Sequence, residues 1–147
     1  MKQSNIVPMQ AEHIAQVAAL EKACFSDPWP ESVLTSELEN PLSLWLVALE
    51  SEKVLGYVGA QSVLDEADMM NLAVSEDARR QGIAEQLVSS LCSRLAENGI
   101  MHLLLEVRVS NSPALCLYEK MGFEQIGRRP NYYFHPREDA LILRKEL

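Results

Sequence analysis

At residues 74–84 the chain reads Val74-Ser75-Glu76-Asp77-Ala78-Arg79-Arg80-Gln81-Gly82-Ile83-Ala84, and within this run the pattern changes from strand to helix. The preceding residues, Met69 to Val74, are apolar and strand-like. The following residues predict a long amphipathic helix that stops at Asn98-Gly99. Its apolar positions recur every four residues at Ile83, Leu87, Leu91 and Leu95.

The loop between this strand and this helix has the features of an anion site. The first N–H groups of a helix have no intrahelical partners, and the helix dipole adds partial positive charge there. Gly82 allows a phosphate to approach the backbone, and Arg79 and Arg80 add positive charge. The loop lacks the Gly-Lys-Ser/Thr ending of a P-loop, and it does not contain a Gly-x-Gly-x-x-Gly motif. From the loop alone, a plain strand-to-helix turn with a solvated arginine pair is equally consistent.

The residues before this loop predict two helices and an antiparallel meander. Pro30 suits the first turn of the second helix, and the residues between Asp65 and Asp68 predict a polar turn. The predicted elements are a short strand at Asn5–Val7, a helix within Gln10–Phe25, a helix through Leu38, and strands at Leu42–Leu49, Val54–Leu64 and Met69–Val74.

The residues after the long helix predict a parallel connection and two closing strands. A strand–loop–helix–strand unit from Met69 to Val107 implies parallel pairing through a right-handed crossover. We therefore expect an α/β fold, a mixed sheet with helices on both faces, in one domain spanning residues 1–147. The remaining predicted elements are a strand at Met101–Val109, a helix from Ser110–Pro113 to Gly122, and strands at Phe123–Gly127 and Ala140–Arg144 around a polar, tyrosine-bearing loop.

Composition excludes several classes of protein. The chain has 147 residues, of which 48% are hydrophobic and 23% charged, which are ordinary globular values. No apolar run is long enough for a membrane span or a signal-peptide core, so we expect a cytoplasmic protein that does not bind membranes. A net charge of −8 argues against nucleic-acid binding. It suits a basic partner, although solubility alone also explains it.

Cysteine and histidine spacing indicates no metal site. The three cysteines are far apart in apolar contexts, which is typical of buried thiols in a reducing compartment. The three histidines, His13, His102 and His135, show no metal-ligand spacing.

Two segments together carry a family resemblance that covers essentially the whole chain. Arg79 to Ala84 resembles the Arg/Gln-x-x-Gly-x-Gly/Ala signature of the Gcn5-related N-acetyltransferase (GNAT) superfamily. The stretches Leu104–Ala114 and Leu117–Phe123 resemble the second cofactor segment of that superfamily. Ala84 departs from the glycine that many members have, a change the family tolerates.

Within the superfamily, the chain most resembles the RimI-type ribosomal-protein-alanine N-acetyltransferases of bacteria. This resemblance implies transfer of acetyl from acetyl-CoA to the N-terminal alanine of the eighteenth small-subunit ribosomal protein. We expect a monomer that makes no direct contact with nucleic acid. Alternatives are a lysine or small-molecule amine as acceptor, a non-catalytic acyl-CoA-binding subunit, or a scaffold. The resemblance rests on Asp27-Pro28-Trp29, Leu105-Glu106-Val107-Arg108, Arg129-Pro130-Asn131-Tyr132-Tyr133 and Glu138-Asp139-Ala140-Leu141.

The resemblance also implies where acetyl-CoA binds. In the family, the strands corresponding to Met69–Val74 and Met101–Val109 diverge, and the pantetheine arm lies between them. A backbone N–H near the thioester would stabilise the developing oxyanion. The implied cofactor residues are Leu72, Ala73 and Val74 beside the thioester, Arg80, Gln81, Gly82, Ile83, Ala84 and Glu85 around the diphosphate, and Asn111 near the arm.

Two residues are candidates for proton transfer, which direct acyl transfer to an amine requires. Glu106 follows an apolar strand core, so we expect its carboxylate at the gap, where it would accept a proton from the amine directly or through water. The alternative is a solvated carboxylate, or one paired with Arg108. Tyr118 would donate a proton to the leaving thiolate; the alternative is a core aromatic.

Other residues are weaker candidates. Trp29, Tyr132 and Tyr133 are expected over the acceptor channel, or else in ordinary loop packing. Asp27, Glu31 and Glu138 would attract a basic substrate tail, or else are solvated surface charges. We expect Ser112 to cap a helix.

Overall fold

The computed structural model describes residues 5–147, which form a seven-stranded sheet with four α-helices. Single turns of 3₁₀ helix occur at Ala11–His13 and Glu76–Ala78. In chain order the elements are β1 (Asn5–Pro8), α1 (Ile14–Cys24), α2 (Glu31–Glu39), β2 (Ser43–Glu50), β3 (Lys53–Val63), β4 (Glu66–Val74), α3 (Ile83–Glu97), β5 (His102–Arg108), α4 (Ser112–Lys120), β6 (Glu124–Tyr133) and β7 (Glu138–Glu146).

The strand order confirms the predicted mixed sheet. The order is β1-β2-β3-β4-β5-β7-β6, and each neighbouring pair is antiparallel except β4 and β5, which are parallel. That parallel pairing covers only residues 66–68 of β4 and 102–104 of β5. Beyond Asp68 and Leu104 the two strands no longer pair, so a gap opens in the middle of the sheet.

The polar turn predicted at Asp65–Asp68 is wrong, because β4 begins at Glu66. Ala67 is buried whereas Glu66 and Asp68 are exposed, which is the alternation of a half-buried strand. Residues 66–68 are also the part of β4 that pairs with β5, so they join the two halves of the sheet.

Helices cover both faces of the sheet, as predicted. On β2, Leu46 and Ala48 pack in the core formed with α3 and α4, whereas Trp45 and Val47 pack with α1 and α2. Neighbouring residues of a strand point to opposite faces, so one strand supplies both cores. No helix formed by residues 5–147 is long and apolar enough to cross a membrane.

A β-bulge at Met70 changes which face of the sheet the following side chains of β4 point to. Gly59 lies opposite Asn71 and Ala60 opposite Met69, which leaves Met70 as the extra residue. Before the bulge, Met69 packs with α3; after it, Ala73 packs with α1 and α2. The bulge therefore turns Asn71 and Ala73 towards the α1/α2 face.

The tyrosine-bearing loop predicted after Gly127 is mostly strand. β6 continues to Tyr133, and only residues 134–137 connect it to β7. β6 is an edge strand with nearly every residue exposed or half-buried, so it lacks the apolar alternation that identifies a strand in sequence. Asp139 holds the hairpin by accepting from Arg128 Nε at 2.7 Å and from the Asn131 N–H at 2.8 Å.

Candidate active site

A cavity of about 920 Å³ lies where β4 and β5 diverge. Its walls come from the α1–α2 connection, from β4 around the bulge, from the end of β5, from the start of α4 and from the β6–β7 hairpin. Small-molecule sites commonly have about 300–1,000 Å³. The cavity is therefore large enough for the arm of an extended ligand.

The open edge of β4 presents free backbone groups to this cavity. The Ser75 N–H donates to Leu55 O at 2.8 Å, so the hydrogen-bonded pairs of this antiparallel ladder include Tyr57 with Ala73. The N–H and C=O groups of Leu72 and Val74 consequently point away from β3, towards the gap. The polar backbone groups of Ala73 point to β3. The predicted thioester-binding stretch thus offers both backbone groups of Leu72 and the N–H of Val74 to a ligand, since Val74 O accepts from Arg79 Nε.

The predicted diphosphate site begins with two left-handed residues. Arg80 has φ 65° and Gly82 has φ 77°. The Gln86 N–H donates to Gly82 O at 3.1 Å as the first bond of α3, so the N–H groups of Ile83, Ala84 and Glu85 precede the intrahelical ladder. Gly82 supplies no side-chain cap for them. These donors fit an anionic group.

Side chains around this loop have separate roles. Arg79 donates through Nε to Val74 O at 3.1 Å and lies 3.7 Å from Cys24 Sγ. Glu85 pairs with Lys120 at 3.1 Å, which leaves its backbone N–H as the group suited to a phosphate. Arg80 has no ion-pair partner within residues 5–147 and is exposed.

Asn111 lines the cavity and caps α4. Its Oδ1 accepts from the Ala114 N–H at 3.3 Å. The prediction that Ser112 is the cap is wrong, because Ser112 is already the first helical residue and Pro113 follows it. Asn111 stands just outside the helix, where a side-chain acceptor reaches the first turn.

Glu106 lies at the gap on the α1/α2 face of β5. Its neighbours Leu105 and Val107 are buried in the opposite core, so the carboxylate points away from α3. Arg129 Nε lies 3.1 Å from Glu106 Oε2, an ion pair whose geometry is not that of a hydrogen bond. The alternative in which Glu106 pairs with Arg108 is wrong, since Arg108 contacts the β6–β7 hairpin instead.

Tyr118 lies on the other face of the sheet. Its ring is buried 5.3 Å from that of Phe123, and its hydroxyl donates to Met69 Sδ at 3.7 Å. Burial, followed by the neighbouring Tyr133 hydroxyl, raises the pKa of Tyr118. Tyr118 is thus both a core aromatic and a cavity-lining phenol that stays protonated at neutral pH.

Three predicted aromatics line the cavity. Tyr132 and Tyr133 pack edge-to-face at 5.0 Å, and Trp29 packs on Trp45 at 5.4 Å. Burial, and then the charge of Glu106, raises the pKa of Tyr133 to about 12. The same two causes, in the same order, raise the pKa of Tyr132. Both phenols therefore lie within the field of Glu106.

The three acidic candidates differ in their surroundings. Asp27 is exposed at the cavity and Glu31 is exposed at the start of α2. Glu138 is already engaged: it pairs with Arg108 Nη1 at 3.1 Å and accepts from the Ser110 N–H at 2.8 Å.

Sequence reasoning missed Glu21, a carboxylate with no exposed surface. Its Oε1 accepts from the Trp29 N–H at 2.8 Å, and its Oε2 accepts from Asn71 Nδ2 at 2.8 Å and from the Tyr57 hydroxyl. A signal was present in the sequence. The helical spacing of Ile14, Val17 and Ala18 places residue 21 on the buried face of α1.

Within residues 5–147, no three His, Cys, Asp or Glu side chains are grouped to hold a metal ion. His13 Nδ1 accepts from the Gln10 N–H at 2.9 Å, and His102 pairs with Glu146 at 2.7 Å. Cys24, Cys92 and Cys116 are free thiols, but the prediction that they are buried is wrong, since Cys24 and Cys92 are half-buried and Cys116 is exposed.

Comparisons of the sequence and of the structure with known proteins all find N-acetyltransferases. The acetyltransferase (GNAT) family profile matches residues 14–123. The [ribosomal protein bS18]-alanine N-acetyltransferase of Escherichia coli K12 is 38% identical over 143 residues, covering 95% of both chains. The crystal structure of the Escherichia coli ribosomal-protein-S18-alanine N-acetyltransferase superposes with a TM-score of 0.89 at 32% identity, covering 98% of this chain and 94% of that one. A NatC complex bound to Gag peptide and CoA superposes with a TM-score of 0.88 at 25% identity, covering 99% of both chains.

Proposed function

Because this chain belongs to the acetyltransferase (GNAT) family, we propose that it transfers acetyl from acetyl-CoA to the N-terminal alanine of ribosomal protein bS18. The chain is an N-acetyltransferase, and its family uses acetyl-CoA. The Escherichia coli relatives, in sequence and in structure, are named for this acceptor. The acceptor assignment follows from them.

The observation that carries the mechanism is the gap between β4 and β5, which opens to both faces of the sheet. Glu106 lines it on the α1/α2 face, and Tyr118 lines it from the α3/α4 face. Two substrates that approach from opposite faces would therefore meet between the strands. We place CoA on the α3/α4 face, where the helix N-terminus lies, and the acceptor on the other.

The residues present fit acetyl-CoA. The N–H groups at residues 83–85 and the guanidinium of Arg80 suit a diphosphate. The N–H and C=O of Leu72 and the N–H of Val74 suit the amides of a pantetheine arm, which would pair with β4 as an added strand. Asn111 lines the same cavity beside the expected arm.

The chemistry is a direct transfer without a covalent enzyme intermediate. The amine nitrogen attacks the thioester carbonyl carbon, the C–S bond breaks and the amide bond forms. Glu106 accepts the amine proton, directly or through water, and Tyr118 donates its phenol proton to the departing thiolate. A backbone N–H of the open β4 edge stabilises the charge that develops on the carbonyl oxygen.

The acceptor amine suits a carboxylate base of this kind. A protein α-amine has a pKa of about 7.7–8.0, so roughly a tenth is neutral at pH 7, whereas a lysine amine near 10.4 is almost wholly charged. A moderate base is therefore sufficient for an N-terminus. The net charge of −8 favours encounter with a basic ribosomal protein.

The proposal includes the state of the protein. We propose a single domain over residues 1–147 that acts as a monomer in the cytoplasm and binds neither nucleic acid nor membrane. The catalytic roles of Glu106 and Tyr118, and the cofactor roles of residues 72–74, 80–85 and 111, are part of the same proposal.

The test is acetyl transfer from labelled acetyl-CoA to bS18 and to a short alanine-start peptide from it. We expect one acetyl group on the alanine α-nitrogen, and no transfer to a matched peptide whose α-amine is blocked. Acetyl on a lysine side chain with a free terminus would contradict the acceptor assignment. CoA binding without any transfer would instead indicate a non-catalytic subunit.

A further inference from the structure

Glu21, which does not itself line the cavity, connects two of the cavity walls by hydrogen bonds. The α1–α2 connection supplies one wall through residues 24–27 and Trp29, and β4 supplies another through residues 68–72. Glu21 is fully buried between them and accepts from the Trp29 N–H on one side and from Asn71 Nδ2 on the other, each at 2.8 Å. The Tyr57 hydroxyl of β3 also donates to Glu21.

The bulge at Met70 makes this connection possible. An unbroken β4 would continue the facing of Ala67 and Met69, which pack towards α3, and would turn Asn71 to that side as well. The extra residue shifts the alternation of side chains by one position, so Asn71 points towards α1 instead. Through Asn71, Glu21 therefore ties the Trp29 wall to the bulge in β4.

Among residues 5–147 the partners of the Glu21 carboxyl group are these three neutral donors, and no cation pairs with it. Burying a carboxylate without an opposite charge costs free energy unless its oxygens are hydrogen-bonded. A leucine at this position of α1 would leave these three donors without their acceptor. The retained carboxylate is explained by the three donors it organises.

We propose that Glu21 is a positioning residue for the acceptor: it fixes the Trp29 wall against the β4 bulge and so sets the geometry in which the amine reaches the gap. Glu21 does not touch the reacting atoms. The inference rests on the proposed function for its kinetic readout and on the geometry of the loop for its structural one.

The test variant is Glu21→Gln. An amide has one acceptor oxygen, so it cannot accept from Trp29, Asn71 and Tyr57 together, and the charge-assisted hydrogen bonds that tie the two walls are lost or weakened. We expect the KM for the alanine peptide to rise about tenfold, as for loss of a hydrogen bond to a charged group. The KM for acetyl-CoA should change less than twofold, and amide exchange at residues 26–29 should become faster.

Two further variants separate positioning from general stability. Tyr57→Phe removes the β3 donor but leaves both walls tied, so it should lower Tm and leave the acceptor KM unchanged. In the double variant Glu21→Gln with Asn71→Asp, the amide donates to the new carboxylate and accepts from Trp29. This double variant should bring the KM for the alanine peptide most of the way back to the wild-type value. It also provides a folded protein for the test if the single variant does not fold.

The outcomes are distinct. A lowered Tm with an unchanged acceptor KM in Glu21→Gln, or no recovery in the double variant, would overturn the positioning role. If the wild-type protein does not acetylate the alanine peptide, the proposed function fails, while amide exchange at residues 26–29 still tests Glu21. Unchanged exchange there would overturn the inference whatever the acceptor.

Discussion

At the scale of single residues, the proposed chemistry depends on the Glu106 carboxylate, the guanidinium beside it and the buried phenol of Tyr118. Glu106 and Arg129 lie 3.1 Å apart on the acceptor face of the gap. The Arg129 guanidinium lies against the Glu106 carboxylate, while Tyr118 is buried on the other face, where its raised pKa keeps it protonated at neutral pH. The proposed base and the proposed acid thus approach the gap from opposite faces of the sheet.

Glu106→Gln removes the proton acceptor and keeps the shape of the side chain. We expect turnover of the alanine peptide to fall roughly 10²–10⁴-fold, the usual span of proton-transfer catalysis, with CoA affinity unchanged. The measurement is steady-state kinetics together with CoA titration. Glu146→Gln is the matched control, since Glu146 is an exposed carboxylate that pairs with His102 where β5 begins. Full activity in Glu106→Gln would exclude the role of base.

The pH profile tests Tyr118. Its pKa is raised above the ordinary 10.0, so the acid form persists across the range in which the acceptor α-amine, near 7.7–8.0, becomes neutral. We expect kcat/KM for the alanine peptide to rise with pH and then stay level up to about pH 9.5. Tyr118→Phe should lower kcat roughly 10²–10⁴-fold across this whole range. An alkaline fall centred below pH 9, or wild-type kcat in the Phe variant, would contradict the assignment.

At the scale of elements, a clamp ties the β6–β7 hairpin to β5. Arg108 donates to Pro136 O at 2.9 Å and to Phe134 O at 3.1 Å, and its guanidinium stacks 4.4 Å from the centre of the Tyr133 ring. Glu138 bridges Arg108 to the Ser110 N–H. The hairpin that carries Tyr133 is therefore fixed beside the gap.

Glu138→Gln should loosen this clamp in a pH-dependent way. The bond from Ser110, followed by Arg108, lowers the pKa of Glu138 below its ordinary 4.5. A lowered folded pKa means that the stabilisation is fully present above pH 4.5 and disappears as pH falls through the lower folded value. We expect wild type to have the higher Tm at neutral pH, and the two melting curves to converge in acid. A Tm difference that is independent of pH would show that the carboxylate charge is not involved.

The sequence predicted most elements because their periodicity is strong, and it failed where other interactions decide the backbone. The four-residue repeat of α3 places that helix within a residue of its observed start. Glu66 and β6 were misread because Ala67 is a weak apolar signal and an edge strand needs no buried face. The Met70 bulge has no local signature. The glycine beside the bulge, Gly59, is instead required by the neighbouring strand β2, because a Cβ there would lie 2.4 Å from the Trp45 ring.

At the scale of the whole molecule, the gap joins the two faces of the sheet. β4 and β5 pair over three residues and then separate, and each face has its own helices and its own core. Sequence pattern alone does not reveal this gap, because the alternation of apolar residues in a strand indicates which face is buried and not where the strand pairs with its neighbour. The family resemblance, carried by residues 79–84 and 104–123, supplied the expectation instead.

The most direct measurement is a crystal structure of the protein with CoA bound. We predict that the diphosphate contacts the backbone N–H groups of residues 83–85 and that the pantetheine arm runs between β4 and β5, hydrogen-bonded to Leu72 and Val74. The sulfur should then lie near Tyr118. CoA bound elsewhere, or β4 and β5 paired along their full length around it, would contradict the account.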